Sequence, residues 1–261
     1  MPKPLHTHFF GPADAPHVLA LHGLTGHGRR WASIAENRLA GLRVVAPDLL
    51  GHGESPWTPP WSLEAHADAV DAVIDAYIDE ARRPVVVVAH SYGSAIALTV
   101  ANRRPELVKA LILLDPAQGL DPERARQMAE GAAQHCGYPT ADDAAAAKRA
   151  EGWSQVPQEI LEAEIAEHLV DHGDHVDWRV SLPTAVTAWS EMARPAQLPP
   201  PGVPTHVVVA DRVDPPFVTP GFLAAVADQR PGDVVVHHVD TEHMVPFLAP
   251  DLVAGLIRDA V

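Results

Sequence analysis

Residues 84–101, PVVVVAHSYGSAIALTVA, constrain the possible folds of this chain more than any other stretch. Four consecutive valines read as a strand buried on both faces, the pattern of an interior parallel strand. His90-Ser91-Tyr92-Gly93-Ser94 breaks the run, and an alanine-rich helical stretch then leads to Asn102–Arg104 and Pro105. A strand, a tight turn carrying one serine and a helix make up the geometry that presents a nucleophile. The general pattern is G-x-S-x-G, and here it reads Ala89-His90-Ser91-Tyr92-Gly93. Small neighbours matter because a sharp turn leaves little room for side chains beside it. His90, Ser91 and Gly93 interrupt the apolar stretch, which speaks against a membrane helix. From this stretch alone, an ordinary turn serine remains the alternative.

The flanking sequence supplies the rest of a sheet. Leu5–Phe10 reads as a short first strand, and His17–Leu21 as a second that runs into the glycine-rich His22-Gly23-Leu24-Thr25-Gly26-His27-Gly28. Those glycines suggest close backbone approach to a phosphate or an oxyanion, but neither a G-x-x-x-x-G-K-[ST] nor a suitably placed G-x-G-x-x-G supports a phosphate. Residues 42–46 form the next strand, followed by Pro47-Asp48-Leu49-Leu50-Gly51-His52-Gly53-Glu54-Ser55. Between Ser62 and Ala81, apolar residues recur at three and four, so a crossover helix feeds the valine strand. Residues 110–114 form a further strand ending at Asp115-Pro116. This alternation predicts an α/β fold with a doubly wound, mostly parallel sheet.

The rhythm stops between Gly119 and Pro201. Helical segments are expected near 122–136, 141–152, 157–172 and 183–194, with no convincing buried strand. A proline-rich segment, 195–204, returns the chain to strands at 205–210 and 234–239 and to helices at 219–228 and 250–260. The expected organisation is a core of residues 1–118 and 202–261 with a helical insertion, 119–201, above the strands' carboxyl ends, where such sheets bind ligands.

Composition narrows the partners. A net charge of −15 argues against nucleic acid or an anionic membrane surface. One cysteine, Cys136, excludes an internal disulfide, and the first residues lack an apolar signal region, so a cytoplasmic protein is expected. Sixteen histidines by themselves identify no metal site. His168 and His172 share a helical spacing, but without an H-E-x-x-H pattern they read as solvent-facing. Trp153, Trp178, Trp189, Met128 and Met192 read as the core of the insertion, some of them available to line a pocket.

A serine nucleophile needs a base, an orienting acid and an oxyanion site. His243, in the loop after the last strand, supplies the base. Asp214, beyond the penultimate strand in Asp211-Arg212-Val213-Asp214-Pro215, is the favoured acid because Asp-Pro suits the required turn. Asp211 is a second candidate, and Asp115 reads as a loop cap. Ser91, Asp214 and His243 stand in the Ser…Asp…His order of one hydrolase architecture.

Five segments in order, LHGLTGHG, DLLGHGES, AHSYGS, DRVDPPF and TEHMVPF, together resemble the α/β-hydrolase fold family over most of the chain. The resemblance implies that the insertion is a helical cap and that the amides of Leu24 and Tyr92 form the oxyanion hole; it implies no cofactor and no metal. Ala89 departs from the usual first glycine of the elbow, and Asp211 stands where relatives often carry glycine. The expected activity is that of a serine carboxylesterase on a small or medium apolar acyl ester. The same triad also serves carbon–carbon bond hydrolases, amidases, lactonases, perhydrolases and hydroxynitrile lyases, and a receptor of this fold can retain it. Haloalkane dehalogenases and epoxide hydrolases are disfavoured, because they carry aspartate where Ser91 stands.

Overall fold

The elements follow the chain in the order the hydrophobic patterning predicts. The computed structural model describes residues 4–261. Its first half contains Thr7–Phe10 (β1), His17–Leu21 (β2), Ala32–Arg38 (α1), Arg43–Pro47 (β3) and Leu63–Tyr77 (α2). Val85–His90 (β4), Tyr92–Arg103 (α3) and Val108–Leu114 (β5) complete it. The sheet order is β1-β3-β2-β4-β5, continued by Thr205–Ala210 (β8) and Val234–Val239 (β9). Only β1 is antiparallel to its neighbour.

The valine strand lies between two cores, as a strand buried on both faces must. Val85, Val87 and Ala89 pack with Val70 and Ile74 of α2 and Ile96 and Leu98 of α3. Val86 and Val88 point the other way, to Ile34 of α1 and to Val253 and Ile257 of Pro250–Ala260 (α10). Each such valine withdraws enough apolar surface to contribute about 1.5–3 kcal/mol, an upper figure because the unfolded chain is itself partly collapsed. Helices cover both faces of the parallel sheet, and that leaves its carboxyl edge as the open end.

The chain leaves the sheet after β5 and returns at β8. Between them lie Pro122–Ala133 (α4), Ala141–Lys148 (α5), Gln158–His168 (α6) and Leu182–Met192 (α7). Asp121 caps α4, its side chain accepting from the Arg124 amide, and Thr140 caps α5 through the Asp143 amide. The helix expected over 157–172 ends at His168. Leu169–Asp171 (β6) instead pairs antiparallel with Val176–Trp178 (β7), through a turn in which Gly173 takes φ +93°. A positive φ suits glycine, so the local turn chemistry overrode the helical spacing. Pro220–Gln229 (α8) and the short Val245–Leu248 (α9) complete the fold. No helix among the described residues is long and apolar enough to cross a membrane.

Candidate active site

Strand register builds the site. In the parallel β4–β5 ladder His90 pairs with Leu114, so the next residue on each strand, Ser91 and Asp115, emerge side by side. The Ser91 amide donates to the Leu114 carbonyl at 2.9 Å. In the β2–β4 ladder Leu21 pairs with Ala89, which carries His22 and Gly23 alongside His90 and Ser91. A Cβ on Gly23 would lie 3.0 Å from the Ser91 Cβ and 2.9 Å from the His90 ring, so the loop after β2 backs directly onto the serine. The chain reverses direction across the sheet between β2 and β4, the point at which open α/β sheets form their ligand crevice.

Ser91 has φ +53° and ψ −122°, outside the regions that L-residues favour. Such a conformation costs on the order of 1–3 kcal/mol and persists only where the surroundings enforce it. Here Gly93 is clamped, since a Cβ on it would meet the His22 carbonyl oxygen at 2.4 Å. Ser94 Oγ donates to the Ala89 carbonyl at 2.9 Å and closes the turn from the other side. Tyr92, the first residue of α3, presents its amide at a helix N-terminus, where unpaired N–H groups and the helix dipole favour an anion.

His243 lies beyond β9, and its Nδ1 donates to Asp115 Oδ2 at 2.5 Å. That bond assigns the proton to Nδ1 and leaves Nε2 an acceptor with no hydrogen bond among the described residues. Asp115 is buried, takes φ +44° and accepts the Ala210 amide on Oδ1 at 3.2 Å. The His243 ring packs against Phe217 and His90, with centroids at 4.4 and 4.6 Å. His90 Nε2 donates to the His243 carbonyl at 2.8 Å. Burial, and then the neighbouring His243, hold His90 far below the ordinary imidazole range, so it stays neutral.

The acid favoured from sequence, Asp214, is displaced from this pairing. It is exposed, and its carboxylate makes no hydrogen bond among the described residues, whereas Asp115 reaches His243 from the end of an interior strand. Asp211 is also exposed and pairs with His238 at 2.8 Å. The physical reason is the ladder: β5 is the direct neighbour of β4, so its terminal carboxylate needs no excursion to reach the serine's side of the sheet. An apolar strand ending abruptly in aspartate was the available signal for it.

Two histidines fix the Leu24 loop. His22 Nδ1 donates to the Gly23 carbonyl at 2.7 Å, and Nε2 accepts the Leu49 amide at 2.9 Å. Because the peptide is planar and trans, holding the Gly23 carbonyl aims the Leu24 N–H the opposite way. His52 Nε2 accepts the Thr25 amide at 3.3 Å while Nδ1 donates to the Leu50 carbonyl. Burial lowers both histidines, His52 to about 4, and keeps these donor and acceptor roles in place. Asp48 anchors the neighbouring loop by accepting from the Gly28 and Glu54 amides. Burial would raise its pKa, but the His8 and Gly28 hydrogen bonds outweigh that and bring it to about 2.

A cavity of about 360 Å³ opens beside Leu24 and Thr25, walled by Met128, Trp178, Leu182 and Trp189, with Lys148 also at its surface. Trp153, Trp178 and Met192 are buried, while Met128 is 43% exposed and belongs to the cavity wall rather than to a core. His168, read from sequence as solvent-facing, is buried and stacks on His27 at 4.4 Å. One ligand atom from each of His6, His8 and Asp48 falls within 4.8 Å of the others, the single such group among the described residues. Both Asp48 oxygens already accept backbone amides, so this carboxylate has a structural task without any ion.

A family model described as the alpha/beta hydrolase family matches residues 18–256. Lipase LipV of Mycobacterium tuberculosis is 41% identical over 255 residues, covering 97% of this chain and 96% of that protein. The sn-1-specific diacylglycerol lipase ABHD11 of Mus musculus is 33% identical over 107 residues, 40% of this chain and 34% of its own length. Among solved structures, a marine microorganism esterase superposes with a TM-score of 0.77 at 18% identity, covering 99% of both chains. At that identity the likeness speaks to fold alone. The chain belongs to the α/β-hydrolase family.

Proposed function

We propose that this lipase/esterase-type hydrolase cleaves carboxylic esters with a small or medium apolar acyl group through an acyl-enzyme on Ser91. The observation that carries the reading is the His243–Asp115 pair, formed at the same sheet edge as a serine with a strained backbone. Ser91 Oγ attacks the ester carbonyl and His243 Nε2 accepts its proton. Asp115 stabilises the imidazolium that results. The amides of Leu24 and Tyr92 receive the oxyanion, the alcohol departs with the proton from His243, and water releases the acid by the same steps. Residues 119–201 act as a cap whose apolar wall accepts the acyl chain; the cavity beside Leu24 supports this. Location in the cytoplasm is part of the proposal, supported by a fold that uses no disulfide.

The test is hydrolysis of p-nitrophenyl butyrate together with labelling by a fluorophosphonate probe. Ser91→Ala is expected to abolish labelling and lower turnover by at least about 10³-fold while the protein stays folded. Wild-type turnover or undiminished labelling in Ser91→Ala overturns the mechanism.

A further inference from the structure

We infer that Glu164, on α6 of the insertion, is a positioning residue for the Leu24 amide and acts through Arg30. The inference rests on the proposed role of Leu24 as an oxyanion donor. Glu164 is buried, and every partner of its carboxylate is a cation or a histidine. Arg30 Nε donates to Oε1 and Oε2 at 3.2 and 3.1 Å, and Nη2 to Oε1 at 2.5 Å. His27 Nε2 lies 3.0 Å from Oε2, and Lys148 Nζ donates to Oε1 at 2.6 Å. The same Arg30 Nη2 donates to the Thr25 carbonyl at 2.9 Å. One guanidinium therefore ties a carboxylate of the insertion to the loop that carries Leu24.

That loop needs holding. Gly26 N donates to the Gly23 carbonyl at 3.1 Å, which closes a turn with Leu24 and Thr25 at its centre. Thr25 takes φ +59°, a conformation that a β-branched side chain resists and glycine accepts. Its amide is tied to His52 and its carbonyl to Arg30, so both sides of the strained residue are fixed. Arg30 keeps its place because Glu164 neutralises it and Trp153 lies under the guanidinium at 5.1 Å. Without the Glu164 charge, Arg30 loses the carboxylate that holds it beside the buried Lys148, and relaxation of Arg30 releases Thr25. The insertion thus completes the oxyanion loop as well as roofing the cavity.

The experiment compares wild type, Glu164→Gln and Arg30→Lys, each alone and with Thr25→Gly. It reads kcat and KM for p-nitrophenyl butyrate and the Ki of an alkyl trifluoromethyl ketone, which forms an oxyanion on the serine. Arg30→Lys keeps a charge on Glu164 but cannot span to Thr25, so it carries the test should Glu164→Gln fail to fold. Either substitution is expected to lower kcat about tenfold and raise the ketone Ki by the same factor, with KM changed less than about twofold. With Thr25→Gly, where the turn needs no enforcement, the loss is expected to shrink below about threefold. Unchanged kcat and Ki in folded variants with a lower Tm overturn the inference, leaving Glu164 as a fastener of the insertion alone. A loss that Thr25→Gly does not diminish overturns it as well. If wild-type protein shows no Ser91-dependent turnover, the oxyanion reading beneath it fails instead, and the two failures are told apart before any variant is made.

Discussion

At the scale of single residues, the site depends on which carboxylate meets His243. Asp115 is buried and doubly engaged, by His243 Nδ1 and by the Ala210 amide, while Asp214 is exposed. Asp115→Asn would turn an amide N–H₂ or a carbonyl towards Nδ1 and lose the charge that stabilises the imidazolium. We expect kcat to fall about 10³–10⁴-fold in Asp115→Asn. Asp214→Asn should stay within about threefold of wild type, as steady-state turnover of p-nitrophenyl butyrate will check. The opposite ranking would return the acid to the loop after β8. Ser91 and His243 stand out in the sequence because each follows a recognisable strand. Asp115 does not, because a strand-end aspartate looks the same whether it caps a loop or faces a histidine.

At the scale of elements, the turn between β4 and α3 owes its shape to a missing side chain. Gly93 lies against the end of β2, and its approach to the His22 carbonyl leaves no space for a methyl group. The neighbour is backbone of an interior strand, which cannot move aside as a flexible side chain would. Gly93→Ala is expected to destabilise the fold by about 1–3 kcal/mol in urea titration. It should also lower kcat by about 10²-fold, because the shift passes directly to the Tyr92 amide. A stable and fully active Gly93→Ala would show that α3 can slide without disturbing the site. Helix and strand identities in the sheet were legible from periodicity, whereas β6 and β7 were not. Those strands are three residues long, and pairing with each other, rather than any pattern of their own, makes them strands.

At the scale of the whole molecule, several histidines are buried in neutral form. Burial lowers His22, His66, His90 and His168, with His66 brought to about 3, and His52 to about 4. Folded values below the unfolded 6.5 mean that the unfolded chain takes up these protons first. The stability they confer is complete above about pH 6.5 and is lost as pH falls towards the folded values, about 4 for His52 and 3 for His66. Urea midpoints should therefore fall between pH 6.5 and 4.5, before most carboxylates titrate. His66 packs edge-on to Tyr92, and neither ring nitrogen has a hydrogen-bond partner among the described residues. His66→Phe should raise stability at pH 7 by about 1–2 kcal/mol. It should also flatten the acid slope by up to about 1.4 kcal/mol per pH unit, the effect of one proton. An unchanged slope would show that His66 is protonated without cost.

The sequence by itself determined the sheet, the serine turn and the placement of His243 after the last strand, because hydrophobic periodicity and turn residues are local signals that survive in one dimension. Tertiary structure alone decided which carboxylate meets His243 and what holds the loop after β2. Asp115 meets His243, 128 positions away, because register aligns β5 with β4 and a loop folds back over both. Glu164 meets Arg30 across 134 positions because the insertion packs down on the loop after β2. Contacts between such distant residues follow from packing, and no spacing along the chain encodes them.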